Sequence, residues 1–102
     1  MTGVLEENRD AIVELCRRYG VLRLEVFGSS LRQEFDSATS DFDFLVEFEA
    51  MEPYARVDAY FGLLEELQST LGREVDLVMV DAVTNPYIAR EIERTKQPLY
   101  AA

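Results

Sequence analysis

The stretch "GSSLRQEFDSATSDFDFLVEF", residues 28–48, decides how the chain is read. It opens on a glycine and two serines and ends in an apolar run that begins with two aspartates one residue apart, Asp41 and Asp43. Alternation along "DFDFLVEF" is that of a β-strand. Phe42, Phe44, Val46 and Phe48 fall on one face, and Asp41, Asp43, Leu45 and Glu47 on the other. Two carboxylates on one face repel each other unless a cation lies between them. Their spacing suits one divalent ion or two neighbouring ions.

Upstream, "VLRLEVF" reads as a half-buried strand, with Leu22, Leu24 and Val26 set against Arg23 and Glu25. Its end at Gly28-Ser29 forms a turn in which backbone N–H groups can approach a ligand closely. A short helix over 29–34 would then offer its N-terminus to a phosphate. Ser29 and Ser30 add hydroxyl donors, and Arg32 is able to neutralise a phosphate. The plainer reading of this turn is a strand-to-helix connection with a serine cap. Before it, residues 4–19 carry Leu5, Ile12, Val13, Leu15, Cys16 and Tyr19 on one helical face, and Gly20 is a stop signal.

Downstream, Pro53 opens a helix in which Val57, Tyr60, Phe61, Leu64, Leu67 and Leu71 recur at helical spacing up to Gly72. "EVDLVMV" is a third strand. Its Asp76 sits inside an apolar run, where an ionised side chain is costly without a partner. If this strand pairs beside the second, Asp41, Asp43 and Asp76 converge. Asn85-Pro86 is an N-cap followed by proline at the first helical position, ahead of "YIAREIERT", and "PLY" is a short last strand. The order predicts an α/β (α+β) fold: a small mixed sheet of three or four strands, helices mainly on one face, and one domain over 1–102.

Composition narrows the chemistry. There are no histidines and one cysteine among 102 residues, which excludes Ser-His-Asp catalysis and leaves almost no donors for zinc. Carboxylates, hydroxyls, lysine, arginine and tyrosine remain, an inventory matched to hard cations such as Mg²⁺. A net charge of −10 argues against direct binding of DNA or RNA and favours a basic partner. No segment has the length of a membrane span. The acidic start "MTGVLEENRD" lacks a signal pattern, so a cytoplasmic location is expected. Cys16 is expected in the core, and Glu65-Glu66 and "REIERTK" on solvated helix faces, with a rim that meets a basic partner as the equal alternative. Tyr60 and Tyr100 read as structural. Tyr54 and Tyr87, near helix starts, are expected to pack on the surface, with contact to a nucleotide base as the alternative.

Taken together, Gly28 to Val46 and "EVDLVMV" resemble the G-S-x-x-R-x(n)-S-D-x-D signature of the DNA polymerase β-type nucleotidyltransferases. In length and element order the chain is similar to the minimal nucleotidyltransferases, the MntA-type antitoxins of HEPN/MNT toxin–antitoxin pairs. The resemblance implies that Gly28, Ser29 and Ser30 hold the nucleotide triphosphate, with Arg32 beside the phosphates and Ser40 also at the nucleotide. It implies that Asp41 and Asp43 bind Mg²⁺, as two ions. Asp76 completes the metal site and helps to deprotonate the incoming hydroxyl. The implied activity is transfer of AMP from ATP to a tyrosine of a HEPN-type ribonuclease toxin, with which the antitoxin forms a hetero-oligomer. Alternatives are an antitoxin that masks its toxin sterically and a nucleotidyltransferase acting on a small molecule. Departures from the pattern are Leu31 and Gln33 around Arg32, where the family usually has a small residue and then Arg-Gly. Phe44 likewise stands where an aliphatic residue usually follows the second aspartate.

Overall fold

The computed structural model describes residues 3–27 and 42–102. The helix expected over 29–34 and the residues Gly28, Ser29, Ser30, Arg32, Ser40 and Asp41 lie outside them. The described elements are α1 (Gly3–Glu7), α2 (Arg9–Arg18), β1 (Val21–Phe27), β2 (Phe42–Phe48), α3 (Pro53–Leu71), β3 (Val75–Met79), α4 (Pro86–Thr95) and β4 (Gln97–Ala101). A single 3₁₀ turn, Val80–Ala82, links β3 to α4. The fold is the expected mixed α/β arrangement, with a four-stranded sheet in the order β3-β2-β1-β4.

β1 pairs antiparallel with both β2 and β4, whereas β2 and β3 run parallel. A parallel pair needs a long crossover, and α3 supplies it. Proline at the first turn of α3 gives up an N–H that would be unpaired there, and Gly72 ends the helix at φ 66°, a left-handed conformation that costs other residues more. α4 starts as its sequence suggests. Asn85 Oδ1 accepts from Tyr87 N at 2.8 Å and Ile88 N at 3.4 Å.

One face of the sheet carries the core. Phe42, Phe44 and Val46 of β2 are buried there with Leu24 and Val26 of β1 and Val75 and Leu77 of β3. Ile12, Leu15 and Cys16 of α2 and Leu63, Leu67 and Leu71 of α3 join the cluster, with Leu5, Val21 and Leu99. Burial of a large side chain such as Phe44 contributes roughly 1.5–3 kcal/mol. The opposite face is covered in part by α4. Leu45 and Ile92 are buried outside the main cluster, and Lys96, which caps α4, lies 3.6 Å from Glu25 of β1.

Three expectations change. The first helix is divided at Asn8, whose side-chain amide donates to the Val4 carbonyl at 2.8 Å, a local bond that competes with a continuous helix. A bulge between Val21 and Arg23 shifts the start of β1, so Val21 is buried and Leu22 is exposed. The third concerns α3. The residues it buries are Ala59, Leu63, Leu67 and Leu71, leaving Val57 and Phe61 exposed. Apolar residues surround this helix, so spacing alone does not fix which face turns inward. Among the described residues no helix is long and apolar enough to cross a membrane.

Candidate active site

Parallel pairing of β2 with β3 sets Asp43 against Asp76 as register partners. The neighbours of each point the other way, because Phe42 and Phe44 pair with Val75 and Leu77 and all four are buried in the core. Period-two alternation then sends both carboxylates to the opposite face of the sheet. Asp43 is half-buried and Asp76 exposed. On its other side Asp43 faces Phe27, the last residue of β1. The ends of β1, β2 and β3 thus meet at one place, and it is the place where the chain leaves Phe27 and returns at Phe42.

The third carboxylate, Asp41, lies outside the described residues, as do the residues of the glycine-serine turn. Among the described residues no group of three or more acidic, histidine or cysteine side chains is gathered as a metal cluster. Asp43 and Asp76 alone supply a pair of oxygen donors on neighbouring strands. That donor chemistry suits a hard divalent cation, which relieves their repulsion.

Tyr60 is a member of this neighbourhood that its sequence position marked only as structural. From α3 its hydroxyl donates to the carbonyl of Leu77, the residue after Asp76, at 2.5 Å. Desolvation by burial pushes the phenol above its usual range, and the negative charge of Asp76 pushes it further in the same direction. Its ring meets that of Phe61 edge-on, with centroids 5.1 Å apart. Only long-range packing of α3 on β3 creates the bond to Leu77 and the proximity to Asp76, so no local signal marks them. Tyr54 and Tyr87 lie at the surface, 86% and 80% exposed. Cys16 is fully buried, and burial pushes its thiol up to about 12, so it is a core residue.

A βαβ unit holding two acidic side chains abreast at one end of the sheet defines the class, an α/β enzyme domain with an acidic centre. The chain belongs to the nucleotidyltransferase domain family, whose pattern it matches over residues 9–99. Among curated relatives, a protein named putative protein adenylyltransferase from Methanocaldococcus jannaschii is 40% identical over 79 residues, covering 78% of this chain and 76% of that protein. The protein adenylyltransferase MntA of Thermococcus cleftensis is 42% identical over 66 residues, 65% of this chain and 63% of that protein. Among solved structures, a putative minimal nucleotidyltransferase superposes with a TM-score of 0.73 at 33% identity, over 92% of this chain and 91% of the other. The same fold, at 20% identity and a TM-score of 0.62, is found in a complex of a tri-AMPylated HEPN toxin of Shewanella oneidensis with an MNT antitoxin, matched over 95% of this chain and 72% of that one. A toxin–antitoxin complex with AMP-PNP matches at 22% identity and a TM-score of 0.67, over 93% and 74%.

Proposed function

We propose that this chain is the antitoxin of a toxin–antitoxin pair, transferring AMP from ATP to a tyrosine of a HEPN-type ribonuclease and so silencing it. The observation that carries the reading is the register pairing of Asp43 with Asp76 on one face of the sheet. Relatives named protein adenylyltransferase supply the reaction class, and the fold shared with an MNT antitoxin bound to an AMPylated HEPN toxin supplies the kind of partner.

Asp41, Asp43 and Asp76 would hold Mg²⁺, in two ions, and when bound the metal would supply neutralisation of phosphate charge. Gly28, Ser29 and Ser30 cradle the triphosphate through N–H and hydroxyl donors, Arg32 pairs with a phosphate, and Ser40 adds a hydroxyl at the nucleotide. The phenol oxygen of the acceptor tyrosine attacks the α-phosphorus of ATP. Its proton passes to Asp76, the more exposed of the described pair. The bond from the α-phosphorus to the bridging oxygen breaks, and pyrophosphate departs with that oxygen. Positioning and charge neutralisation account for catalysis of this type. A location in the cytoplasm is proposed, where ATP is available, and the unpaired Cys16 agrees with a reducing compartment.

The test is the intact mass of a HEPN-type toxin after co-expression with wild type or with Asp43→Asn. One or more AMP additions made by wild type alone are expected. A stable complex with no added mass for either version would reverse the reading to steric masking.

A further inference from the structure

α4 leaves one edge strand of the sheet, β3, and delivers the chain to the other, β4. Four strands set about 4.8 Å apart span roughly 14 Å, and a ten-residue helix spans roughly 15 Å. α4 therefore crosses the sheet transverse to the strands. It crosses on the face of Asp43 and Asp76, because its Ile92 shares a cavity with Leu45, which alternates with the core residues Phe44 and Val46 as Asp43 does.

One flank of α4 thus faces the amino ends of β2 and β3, where the two aspartates stand, and the other faces their carboxyl ends. The cavity tells the flanks apart. It measures about 200 Å³ and is lined by Leu45, Val80, Val83, Ala89, Ile92 and Glu93. Leu45 lies two residues past Asp43 and Val80 four past Asp76 in the direction of the parallel strands, so Ala89 and Glu93 turn toward the carboxyl ends. At about 100° per residue these two sit to one side of Ile92, and Ile88, Glu91 and Thr95 sit to the other. That second flank looks back at the acidic pair. Glu91 and Thr95 are half-buried along it, whereas Ile88 and Tyr87, which stands above Ile88, are 52% and 80% exposed.

Resting on the proposed transfer of AMP to a protein, we infer that Tyr87 and Ile88 form the acceptor subsite, which takes up the partner's tyrosine ring and the apolar residues beside it. Both residues open α4, where the chain has just left β3, so they stand on the β3 side of the acidic pair, the side of Asp76. The triphosphate is proposed on the other side, since Gly28 is bonded to Phe27 at the end of β1, and β2 separates β1 from β3. Asp76 takes the proton of the attacking hydroxyl in the proposed reaction, so the ring bearing that hydroxyl lies over β3. An exposed aromatic next to an exposed aliphatic side chain suits a phenol ring with apolar neighbours. A base extending from a triphosphate on the β1 side would have to reach across both aspartates to touch them.

The experiment uses the full chain, a purified HEPN-type toxin, ATP and Mg²⁺, with AMP addition followed by mass. Wild type is compared with Tyr87→Ser/Ile88→Ser, with the conservative Tyr87→Phe/Ile88→Val, and with Val57→Ser/Phe61→Ser on α3 at the other face of the sheet. KM is measured for the toxin and for ATP separately. The serine pair on α4 is expected to raise the toxin KM about tenfold or more and to leave the ATP KM as in wild type. Retention of the wild-type toxin KM by the conservative pair would show that apolar bulk at these positions is what matters. The α3 pair, equally exposed but on the core side, should match wild type in both constants. An unchanged toxin KM in the α4 serine pair, or an equal rise in the α3 pair, would overturn the inference while leaving the adenylyltransferase reading intact. A rise in the ATP KM alone would assign Tyr87 and Ile88 to the nucleotide base and overturn it as well. Absence of AMP addition by wild type would overturn the adenylyltransferase reading, and the inference with it.

Discussion

Replacing Asp76 by asparagine should make the metal-free protein more stable and the metal-bound protein less so. Asp43 and Asp76 are register partners on adjacent parallel strands, which places them about 4.8 Å apart at the backbone, with side chains projecting the same way. Two unit charges about 5 Å apart repel by roughly 0.8 kcal/mol in water and by more where the effective dielectric is lower. Asp76 is exposed, so the water-like value applies. Asparagine keeps the shape and removes the charge. With EDTA present, Asp76→Asn should therefore melt about 3–6 °C above wild type, since roughly 1 kcal/mol moves a domain of this size by about 4–8 °C. At high salt, where the screening length contracts to about 3 Å, the advantage should shrink.

Mg²⁺ reverses the order. A ligand present at about a hundred times its dissociation constant stabilises the native state by roughly 2.7 kcal/mol. With Asp76 as a metal ligand, as proposed, wild type should gain this stabilisation and the variant should gain little. Far-UV circular dichroism melts with EDTA and with Mg²⁺ measure both effects on the same samples. Most substitutions destabilise, so a rise in the metal-free melting temperature is diagnostic. Two results would refute the reasoning: Asp76→Asn melting at or below wild type in EDTA, or an equal response of both proteins to Mg²⁺.

Other consequences concern the scaffold. A Cβ added at Gly62 would lie 2.6 Å from Cε1 of Tyr19, so Gly62→Ala must displace a ring whose hydroxyl is held on Glu66 at 2.5 Å. The cost, about 1–3 kcal/mol for overpacking, should outweigh the gain in helix propensity of about 1 kcal/mol. In a Tyr19→Ala background the same change should stabilise, and urea titrations of the four proteins read the reversal of sign. The Tyr19 hydroxyl, and after it Arg18, hold the Glu66 carboxyl below its ordinary range. A depressed carboxylate stabilises the fold above its unfolded pKa and loses that contribution as pH falls through the folded value. Melts between neutral and acidic pH should accordingly show a shallower fall for Glu66→Gln, and parallel curves would count against the bond. Cys16, buried and with its thiol pushed up to about 12, should resist an aromatic disulfide reagent at mildly alkaline pH. Full labelling is expected in concentrated guanidinium, and rapid labelling of the native protein would contradict the packing. Asn85→Ala should cost about 1 kcal/mol through loss of the cap on α4, with faster amide exchange at Tyr87 and Ile88. Unchanged exchange there would show that the cap carries no weight.

Local chemistry made much of this fold legible. Asn85-Pro86, Pro53 and Gly72 act within a few residues of themselves, and each marks an observed helix terminus. The alternation of Phe42, Phe44 and Val46 against Asp43 is equally local, and a strand has only two faces to choose between. α3 is different because its inward direction is set by the sheet it crosses. Val57 and Phe61 have the same helical spacing as Leu67 and Leu71, yet they lie on different sides. Leu22 turns outward for a similar reason, since a bulge is a property of the paired strands and not of "VLRLEVF" taken alone.

The acidic centre divides along the same line. Asp43 and Asp76 each stand out in the sequence as carboxylates in apolar strands, but 32 positions separate them, and nothing near either one states that β3 lies beside β2. That the two strands are parallel follows from α3, which must cross the sheet before β3 can begin. Once α3 is laid over the core face, Leu63 and Leu67 sit against the sheet, Tyr60 reaches the β3 edge, and Tyr54, Val57 and Phe61 are turned outward. The same crossover that brings Asp43 and Asp76 into register lays α3 on the other face of the sheet, and a substitution that rotated α3 would disturb the packing of Leu63 and Leu67 and the Tyr60 bond to Leu77 together.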